Sequence, residues 1–326
     1  MKQKKVSILL ATYKPNLIFL SKQLESIENQ TYKNIELLVL DDSACENHFI
    51  EIERKIIEVL KTIPFTLLKN EQNLGSNKSF EKLTRIANGD YFAYCDQDDM
   101  WEKDKVKLLV QKIENENSVI CYSDLSIINS EDVKVADSFK DISKRLNHVY
   151  GEKVYDYFIR RNSITGCTML IDGKIAKNSL PFPDYKLYVH DHWLALNAAL
   201  VGRVSYISMP LVKYRIHENN QIGNKVLDGI NNKKDYFDKK LLFEKNKINL
   251  VQKRRLEEVN PLINETIIKF DNFISSRIDF YKKKSLINFL RLIKNSRYDL
   301  QLTLFELLIF VGPSSFVDGL LKKVKS

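Results

Sequence analysis

The sequence predicts an α/β fold, in which a mostly parallel sheet is flanked by helices, followed by a basic helical region towards the C-terminus. Two observations carry this prediction. Short runs of Val, Ile and Leu alternate with longer amphipathic stretches as far as about residue 224, a pattern typical of buried strands covered on both faces. Beyond that point glycines become scarce, lysines become abundant, and the apolar spacing becomes that of long helices.

The first half of the chain alternates predicted strands with predicted helices. The predicted strands are Val6–Thr12, Ile35–Asp41, Phe65–Leu68, Tyr91–Cys95 and Val119–Ser123. The predicted helices are Leu17–Gln30, His48–Lys61, Ser76–Ala87 and Lys103–Glu116. Because ligands bind beyond the carboxyl ends of the strands in such sheets, polar residues at those ends are the first place to search for a site.

A second block of elements completes the predicted α/β region. Residues 131–150 are predicted to be a polar connection. After it we expect a short helix at about 151–160, strands near Cys167–Ile171 and Val204–Ile207, and a helix over His190–Leu200. We place a domain boundary near residue 224, so that residues 1–224 form one domain and residues 225–326 a helical one.

Composition bounds the class of protein. The chain has 326 residues, of which 44% are hydrophobic and 10% aromatic, as in a packed globular protein. The apolar run Val6–Ala11 is shorter than the core of a signal peptide, and no segment reaches the roughly 20 apolar residues of a spanning helix. The cysteines form no CxxC pair, which argues against a disulfide framework or zinc site and favours a reducing cytosol; they are Cys45, Cys95, Cys121 and Cys167.

The positive charge is confined to the C-terminal third. The net charge is +9, and residues 225–326 hold 21 Lys and Arg against 12 Asp and Glu, whereas residues 1–224 hold 30 of each. This asymmetry predicts a region that faces an anionic partner such as a membrane surface, although a solvated helical face would show the same excess. The neutral first part argues against a nucleic-acid-binding protein.

The strongest local motif is Asp96-Gln97-Asp98-Asp99, which follows the predicted strand Tyr91–Cys95 directly. Carboxylates this close together repel one another unless a cation neutralises them. Mg²⁺ and Mn²⁺ prefer oxygen ligands and typically take one or two carboxylates together with substrate phosphates. We therefore predict that Asp96 and Asp98 bind a divalent cation, while Asp99 caps the following helix.

Two further polar motifs follow strand ends in the first half. Asp41 and Asp42 end the second strand, where a carboxylate can accept hydrogen bonds from a nucleobase or a ribose. The segment Asn73–Asn77 opens a helix, and Gly75 permits a tight turn whose N–H groups suit an anion or polar ligand. A helix cap and an ordinary turn explain these two motifs equally well on local grounds.

Three motifs in the second half are candidates for a site. Gly166, within Asn162–Cys167, suggests a close backbone approach. Asp191, ahead of an apolar helical stretch, could be a helix cap, a metal ligand or a general base. Arg215 and His217 lie two residues apart and so share one strand face, where they could hold a diphosphate or complete a metal shell. An ordinary loop and a solvated edge strand are the alternatives.

Taken in order, these motifs resemble glycosyltransferase family 2, and in particular its bacterial rhamnosyltransferase-like branch. The resemblance covers about residues 4–222, and Asp-Gln-Asp-Asp-x-Trp is its most specific string. It is carried by Ser7–Tyr13, Asn29–Tyr32, Ile35–Ser43, Asn73–Gly75, Gly89–Tyr91, Asp96–Trp101, Thr165–Cys167, His190–Trp193 and Tyr214–His217. The resemblance implies a GT-A fold over residues 1–224, with a nucleotide-sugar-binding half (1–125) and an acceptor-binding half (126–224).

The resemblance also implies roles for individual residues. Asp191 would be the catalytic base, and the reaction would be direct displacement at the anomeric carbon with inversion. A divalent cation, Mn²⁺ or Mg²⁺, would be held by Asp98, Asp96 and His217. The nucleotide sugar would be bound by Thr12, Tyr13, Asp41, Asp42, Asn73, Gly75, Asp96 and Arg215. The acceptor side would be lined by Thr165, Gly166, Cys167, His190 and Trp193.

The sequence departs from the family pattern at two places. Lys14-Pro15-Asn16 replaces the small Asn and Gly residues often found after the first strand. Asp42-Ser43-Ala44 lacks the glycine that is common just after the acidic pair. Neither departure touches the expected metal ligands or base, but both bear on the donor sugar.

The expected donor is dTDP-L-rhamnose, with a UDP-hexose as the alternative. The expected acceptor is a lipid-linked saccharide of capsule, O-antigen or cell-wall polysaccharide biosynthesis, which implies a cytoplasmic protein at the inner face of the cell membrane. The basic amphipathic stretch Tyr281–Arg297 and the apolar run Leu302–Val311 are typical of interfacial anchoring; a homodimer through the C-terminal helices is the alternative.

Two other classes of protein share some of these features. A nucleotidyltransferase also combines carboxylates, a metal and an α/β sheet, but it would carry a Gly-rich basic loop soon after the first strand, and this chain has no glycine before Gly75. A non-catalytic sugar- or nucleic-acid-binding protein would explain the basic C-terminal region, but the acidic cluster speaks against it.

Overall fold

The structure is a computed structural model that describes residues 3–142, 147–217, 229–255 and 261–325. The chain divides into two compact units, Met1–Asn219 and Asn220–Ser326. The boundary predicted near residue 224 falls within 218–228, outside the described residues.

The first unit is built on one sheet. Its strands in the described residues are β1 (Val6–Thr12), β2 (Ile35–Asp41), β3 (Phe65–Lys69), β4 (Tyr91–Cys95), β5 (Met100–Trp101), β6 (Ile120–Ile128), β7 (Lys134–Ala136), β8 (Met169–Asp172) and β9 (Val204–Arg215). They lie in the order β3-β2-β1-β4-β8-β6-β9-β5, and β7 pairs with β6. The α/β class is confirmed.

The predicted parallel arrangement applies to the first half of this sheet. Strands β1 to β4 are parallel, as is β6 to β9, but β8 runs antiparallel to both β4 and β6, and β5 runs antiparallel to β9. The sheet as a whole is therefore mixed. Because β8 pairs Leu170 with Ala93 in reverse direction, the residues that precede β8 lie beyond the carboxyl end of β4.

Helices cover the sheet. Those of the first unit are α1 (Leu17–Glu28), α2 (Glu46–Val59), α3 (Ser76–Ile86), α4 (Lys105–Glu116), α5 (Phe139–Ile142), α6 (Tyr155–Arg160), α7 (Gly173–Asn178) and α8 (His190–Val201). Helix α1 begins after Asn16, whose side-chain oxygen accepts hydrogen bonds from the backbone N–H groups of Ile18 and Phe19. The region 131–150, predicted to be a polar connection, contains β7 and α5.

The core explains why the site lies at a strand edge. Val6, Ile8 and Leu10 of β1 are fully buried in one cluster with Leu20 and Leu24 of α1. Each buried aliphatic side chain of this size contributes about 1.5–3 kcal/mol. Because apolar side chains occupy both faces of these strands, the polar side chains lie at the carboxyl ends of the strands.

The second unit is helical, as predicted for the C-terminal region. Its helices in the described residues are α9 (Lys233–Tyr236), continued by a π-helical turn (Phe237–Leu241), α10 (Leu242–Arg255), α11 (Pro261–Lys282), α12 (Leu286–Asn295), α13 (Leu300–Val311) and α14 (Ser314–Lys325). In the part of the chain that the structure describes, no helix is both long enough and apolar enough to cross a bilayer.

An ion-pair network lies inside this second unit. The Arg277 guanidinium donates to Glu306 Oε2 through Nε at 2.6 Å and to Glu244 Oε2 through Nη1 at 2.5 Å. The Tyr236 hydroxyl donates to Glu306 Oε1 at 2.7 Å. Because Arg277 and Glu306 are both fully buried, each charge depends on its partners for compensation.

Candidate active site

The carboxyl ends of β1, β2 and β4 meet at one edge of the sheet. Thr12 is the register partner of Asp41, and Leu10 is the partner of Cys95, the residue before the acidic motif. The sequence-predicted residues Thr12, Asp41 and Asp96 are thus brought to the same edge.

Asp41 is a buried hydrogen-bond acceptor with spare capacity. Its Oδ1 accepts from the Ser43 hydroxyl at 2.6 Å, the Ser43 N–H at 3.1 Å and the Thr12 hydroxyl at 3.3 Å. Its Oδ2 is buried without a hydrogen-bond partner among the residues described. A buried carboxylate oxygen in this state suits a ligand N–H or O–H donor.

Asp42 has a different environment from Asp41. Its carboxylate accepts from the backbone N–H groups of Leu74 and Gly75, each at 2.8 Å, and from the Asn70 amide at 2.8 Å. Gly75 has a φ of +80°, in the region that favours glycine, and the Asn73 amide reaches the Asp42 carbonyl at 3.4 Å. Asp42 therefore shapes the Asn73–Gly75 loop, and its carboxylate is engaged by the chain itself.

Tyr13 is tied to the acidic motif by a residue that sequence reasoning missed. The Tyr13 N–H donates to Gln97 Oε1 at 2.8 Å, and Gln97 Nε2 donates back to the Tyr13 carbonyl at 3.3 Å. The Tyr13 ring itself is 47% exposed. The sequence signal that could have identified Gln97 is its position between Asp96 and Asp98. Its side chain reaches the end of β1, where it binds the Tyr13 backbone.

Asp98 is held from two sides by residues at the end of β9. His217 Nε2 lies 2.8 Å from Asp98 Oδ2, and Arg215 Nε donates to the Asp98 carbonyl at 2.8 Å. The Arg215 guanidinium is fully buried, stacks 4.3 Å above the Phe19 ring and pairs with Asp132 at 2.5 Å. Arg215 and His217 thus both reach Asp98, as expected for a shared site, but Arg215 holds the backbone of the motif.

Asp99 does not cap the following helix, contrary to the sequence prediction. It is fully buried and accepts a hydrogen bond from the Arg215 N–H at 3.1 Å, while β5 separates it from α4 and Asp104 occupies the cap position. Ligand atoms of Asp96, Asp99 and Cys167 all lie within 4.8 Å of one another. The motif therefore contributes three crowded carboxylates, one of them inside the core.

This crowding perturbs the titration of the carboxyl groups. Burial, with repulsion from Asp98 and Asp191, raises the pKa of Asp96 to about 7. Burial, together with the charges of Asp96 and Asp98, also raises the pKa of Asp99 well above its ordinary value. A divalent cation would relieve this repulsion, which is the chemistry expected of a metal site.

Lys105 is a second residue that the sequence did not reveal. Its ammonium group is buried, donates to the Cys167 carbonyl at 2.7 Å and lies 3.0 Å from the centroid of the Trp101 ring. Burial lowers its pKa to about 7, against the opposing effect of Asp99 and Asp96. A lysine at the start of an amphipathic helix is typical of an exposed position, so no sequence signal distinguished it.

Asp191 lies in the first turn of α8. Its carboxylate accepts from the Asn162 amide at 3.2 Å and from the backbone N–H groups of His192 and Gly166. Burial raises its pKa to about 6, against the effect of the two backbone donors. A carboxylate with this pKa is ionised at neutral pH and is a stronger base than an exposed aspartate.

The predicted acceptor-side residues divide into two groups. His190 packs 4.2 Å from the Phe80 ring, and burial lowers its pKa to about 3, so that the imidazole is neutral. Trp193 is buried and donates from Nε1 to the Ser179 carbonyl at 2.7 Å. Thr165, Gly166 and Cys167 instead form the turn that enters β8, beyond the end of β4.

The close backbone approach predicted at Gly166 is an approach to another side chain. A Cβ atom at that position would lie 2.7 Å from His190 Nε2. The glycine is therefore required by the packing of the His190 imidazole, which places the Gly166 N–H against Asp191.

The two departures from the family pattern occupy strained backbone. Lys14 has a φ of 43° and Ala44 a φ of 51°, both in the left-handed region that favours glycine or asparagine. The Lys14 N–H donates to the Ser43 hydroxyl at 2.7 Å, which joins the two loops. The small residues that the family often has at these places are explained by this geometry.

The first unit has the GT-A type of fold, with a carboxylate-rich edge at the ends of its parallel strands. The family model Glycosyl transferase family 2 matches residues 7–170, which is half of the chain, and the chain belongs to this family. The family predicted from the motifs is thereby confirmed.

Curated relatives agree with this assignment. The chain is 26% identical over 224 residues to UDP-Glc:alpha-D-GlcNAc-diphosphoundecaprenol beta-1,3-glucosyltransferase WfgD of Escherichia coli. The matched region covers 68% of this chain and 80% of WfgD. It is 28% identical over 227 residues to dTDP-rhamnosyl transferase RfbG of Shigella flexneri, and the matched region covers 66% of this chain and 73% of RfbG.

Solved structures show the same fold. S. aureus TarS 1–349 in complex with UDP superposes with a TM-score of 0.59 at 16% identity, over 98% of this chain and 91% of TarS 1–349. Mannosyltransferase PcManGT from Pyrobaculum calidifontis, in complex with GDP-Man and Mn²⁺, superposes with a TM-score of 0.54 at 14% identity, over 100% of this chain and 80% of PcManGT.

Proposed function

We propose that the protein is an inverting, divalent-cation-dependent glycosyltransferase that moves a sugar from a pyrimidine nucleoside diphosphate to a lipid-linked saccharide in polysaccharide biosynthesis. The observation that carries the proposal is the group of carboxylates at the strand edge: ligand atoms of Asp96, Asp99 and Cys167 lie within 4.8 Å of one another, and Asp98 lies 2.8 Å from His217. Carboxylates this close together repel one another, and a cation bound there would relieve the repulsion.

In this proposal the nucleoside lies over β1 and β2. The unpartnered Oδ2 of Asp41 accepts a hydrogen bond from the nucleobase, and the exposed Tyr13 ring, with Thr12, forms the wall beside it. Asp42 acts indirectly, because its carboxylate holds the Asn73–Gly75 loop in place.

The residues present fit a divalent cation. In this proposal Asp98 and Asp96 would supply carboxylate oxygens, which Mn²⁺ and Mg²⁺ prefer, and His217, 2.8 Å from Asp98, would supply an imidazole to Mn²⁺. Among the described residues, the group whose ligand atoms lie within 4.8 Å of one another is Asp96, Asp99 and Cys167. A cation bound there neutralises charge on the nucleoside diphosphate leaving group. Arg215 is a positioning residue in this proposal, since its guanidinium is engaged with the Asp98 carbonyl and with Asp132.

Asp191 is the proposed general base. It takes the proton of the acceptor hydroxyl while that oxygen bonds to the anomeric carbon and the bond to the diphosphate breaks. A single displacement of this kind inverts the anomeric configuration. The donors Asn162 and Gly166 orient the carboxylate, and its raised pKa of about 6 strengthens it as a base.

We infer dTDP-L-rhamnose as the donor, because the motifs match the rhamnosyltransferase-like branch and RfbG is a dTDP-rhamnosyl transferase. UDP-glucose is the second candidate, because WfgD uses UDP-Glc. Thymine and uracil present the same N3–H donor to Asp41, so the proposed nucleobase site serves both donors.

The proposed acceptor is a saccharide on a polyprenyl diphosphate, by analogy with the acceptor in the name of WfgD. The proposed pathway is the biosynthesis of a capsule, O-antigen or cell-wall polysaccharide. The proposed location of the protein is the cytoplasmic face of the cell membrane, to which it binds peripherally.

A transfer assay tests the proposal. The full chain is incubated with Mn²⁺, a synthetic GlcNAc-diphospholipid and either dTDP-L-rhamnose or UDP-glucose, and the product is analysed by mass spectrometry and NMR. A deoxyhexose added from dTDP-L-rhamnose with inverted configuration, and lost on chelation, is the expected result. If hexose is transferred from UDP-glucose and no sugar from dTDP-L-rhamnose, the donor proposed here is wrong and UDP-glucose takes its place. Retention of the anomeric configuration would refute the role of Asp191 as the general base.

A further inference from the structure

Helix α12 has two apolar faces, and among the described residues only one of them packs against the protein. Leu292 is fully buried on the inner face. On the outer face Leu286 is 72% exposed and Leu290 is 58% exposed, and Ile287 and Ile293 are exposed with them. Their spacing of one, four and seven residues from Leu286 places all four on one side of a helix.

Helix α13 repeats this arrangement. Its inner face buries Thr303, Ile309 and Phe310, together with the ion-paired Glu306. Its outer side carries a second exposed stripe that is entirely aliphatic and runs along the whole helix, formed by Leu300, Leu304, Leu308 and Val311. Two consecutive helices thus expose large apolar side chains in rows, whereas the exposed apolar residues of ordinary surfaces are scattered singly.

The charges around these stripes are mainly positive. Between residues 280 and 298 the chain has no Asp or Glu, and the cations there are Lys282, Lys283, Lys284, Arg291, Lys294 and Arg297. Two acidic residues flank this stretch: Asp279 is half-buried and its backbone carbonyl accepts from the Asn288 amide of α12, and Asp299 accepts the Leu302 N–H as the cap of α13. The surface around α12 is therefore apolar with a mainly cationic rim.

We propose that the outer stripes of α12 and α13 dock on an anionic lipid bilayer, with α12 lying in the plane of the interface. Aliphatic side chains enter the acyl boundary while long cationic side chains reach the headgroups, which is the pattern of interfacial helices. The inference rests on the proposed function in one respect, since a lipid-linked acceptor is presented at such a surface.

The charge pattern favours lipid over a second copy of this chain. In a two-fold symmetric dimer built on this face, the six cations of one copy would face the same six of the other, and the half-buried Asp279 beside α12 is too little negative charge to pair with them. An anionic bilayer supplies the missing charge of opposite sign.

Vesicle co-sedimentation of the full-length protein tests this inference. Vesicles of phosphatidylcholine alone are compared with vesicles containing equal parts of phosphatidylcholine and phosphatidylglycerol. We expect binding to the anionic vesicles only. The charge variant Lys283→Gln/Arg291→Gln should weaken partitioning roughly twentyfold or more, since about 1 kcal/mol for each cation is about fivefold. The apolar variant Ile287→Gln/Leu290→Gln should abolish it.

Matched controls lie on the first unit. Ile57 of α2 is 58% exposed, as is Leu290, so Ile57→Gln tests the removal of an equally exposed aliphatic side chain elsewhere. Lys107→Gln, at an exposed position of α4, is the control for charge. Both controls should bind vesicles as the wild type does.

Three outcomes would overturn the inference: no binding of the wild type to anionic vesicles, equal losses in the controls, or a wild-type dimer that Leu290→Gln converts to a monomer without vesicle binding. Transfer to a water-soluble acceptor is measured in parallel. It should be unchanged in the α12 variants, so failure of vesicle binding is distinguishable from failure of the proposed reaction.

Discussion

Buried charge is arranged in opposite ways in the two units of the molecule. In the C-terminal unit Arg277 is surrounded by its partners Glu306 and Glu244, so the charges compensate one another. In the N-terminal unit Asp96 and Asp98 crowd together, and the pKa of Asp96 is raised to about 7. A compensated cluster needs no ligand, whereas a cluster in which carboxylates outnumber the cations beside them is stabilised by a further cation from outside.

This comparison separates structural from functional charge. Burial alone does not separate structural from functional charge, because three charged residues of both kinds are fully buried: Arg277, Glu306 and Asp99. The distinguishing feature is the balance of charge: Arg277 has two carboxylate partners that hold it charged, whereas the Lys105 ammonium beside Asp96 and Asp99 has a pKa lowered to about 7 by burial and compensates them only in part. The experiments below test that distinction by removing charge from each cluster in turn.

The largest effect is expected for Asp98→Asn. We predict that the transfer rate falls roughly 10⁴-fold, the equivalent of several kcal/mol of lost transition-state stabilisation, with little change in melting temperature. Steady-state kinetics and thermal denaturation measure the two quantities. Asp137→Asn, at an 84% exposed carboxylate, is the control and should be active. An active Asp98→Asn variant would remove the metal site from the account.

Asp191→Asn should reduce the transfer rate roughly 10³-fold, within the range of general bases, while donor binding is retained. In the wild type the rate should fall as the pH drops below about 6, because protonation removes the base. The pH–rate profile measures this fall in rate, which is the acidic limb of the profile. Asn162→Ala should move the limb to higher pH, since it removes a hydrogen bond to the ionised form, and a limb that stays in place would argue against this role of Asn162.

Glu306→Gln should act on stability instead. It leaves the buried Arg277 partly uncompensated, and we expect a loss of about 3–5 kcal/mol in the free energy of unfolding of the C-terminal unit. Urea denaturation followed by circular dichroism measures it. Glu265→Gln breaks an exposed pair with Lys269 and should leave the unfolding curve nearly unchanged, because solvent screens such a pair. Equal effects of the two variants would contradict a structural role for the buried network.

The smallest effect is expected for Asp96→Asn without metal. The raised pKa of Asp96 means that the folded state favours the protonated carboxyl, so stability is present below the unfolded pKa and is lost as the pH rises towards about 7. The variant should therefore melt a few degrees higher than the wild type near neutral pH. Saturating Mn²⁺ should reverse the order, and a destabilised metal-free variant would count against the crowding argument.

The sequence predicted the elements of the first unit well, because Val6–Thr12 and Ile35–Asp41 are apolar runs with polar ends. It could not predict that β8 runs antiparallel, since strand direction depends on a loop whose path has no local signal. The acidic motif was visible as a string, but the burial of Lys105 beneath it depends on tertiary packing.

Site residues that act through others were the hardest to assign from sequence. Arg215 was expected to bind the nucleotide, but its guanidinium holds the Asp98 carbonyl. Trp193 was expected on the acceptor side, but its indole is buried against the Ser179 carbonyl. In both cases the structure shows a contact within the protein that spacing along the chain does not reveal, and the ligand-binding role stays a prediction.

The central claim is that the crowded carboxylates hold a cation together with a pyrimidine nucleoside diphosphate, and a thermal-shift titration tests it most directly. The wild type and Asp98→Asn are melted with dTDP, UDP or GDP, each with and without Mn²⁺. The account predicts a rise of a few degrees for the wild type with Mn²⁺ and dTDP or UDP, little with nucleotide alone, and none for Asp98→Asn. An equal rise without Mn²⁺, or in Asp98→Asn, would contradict it.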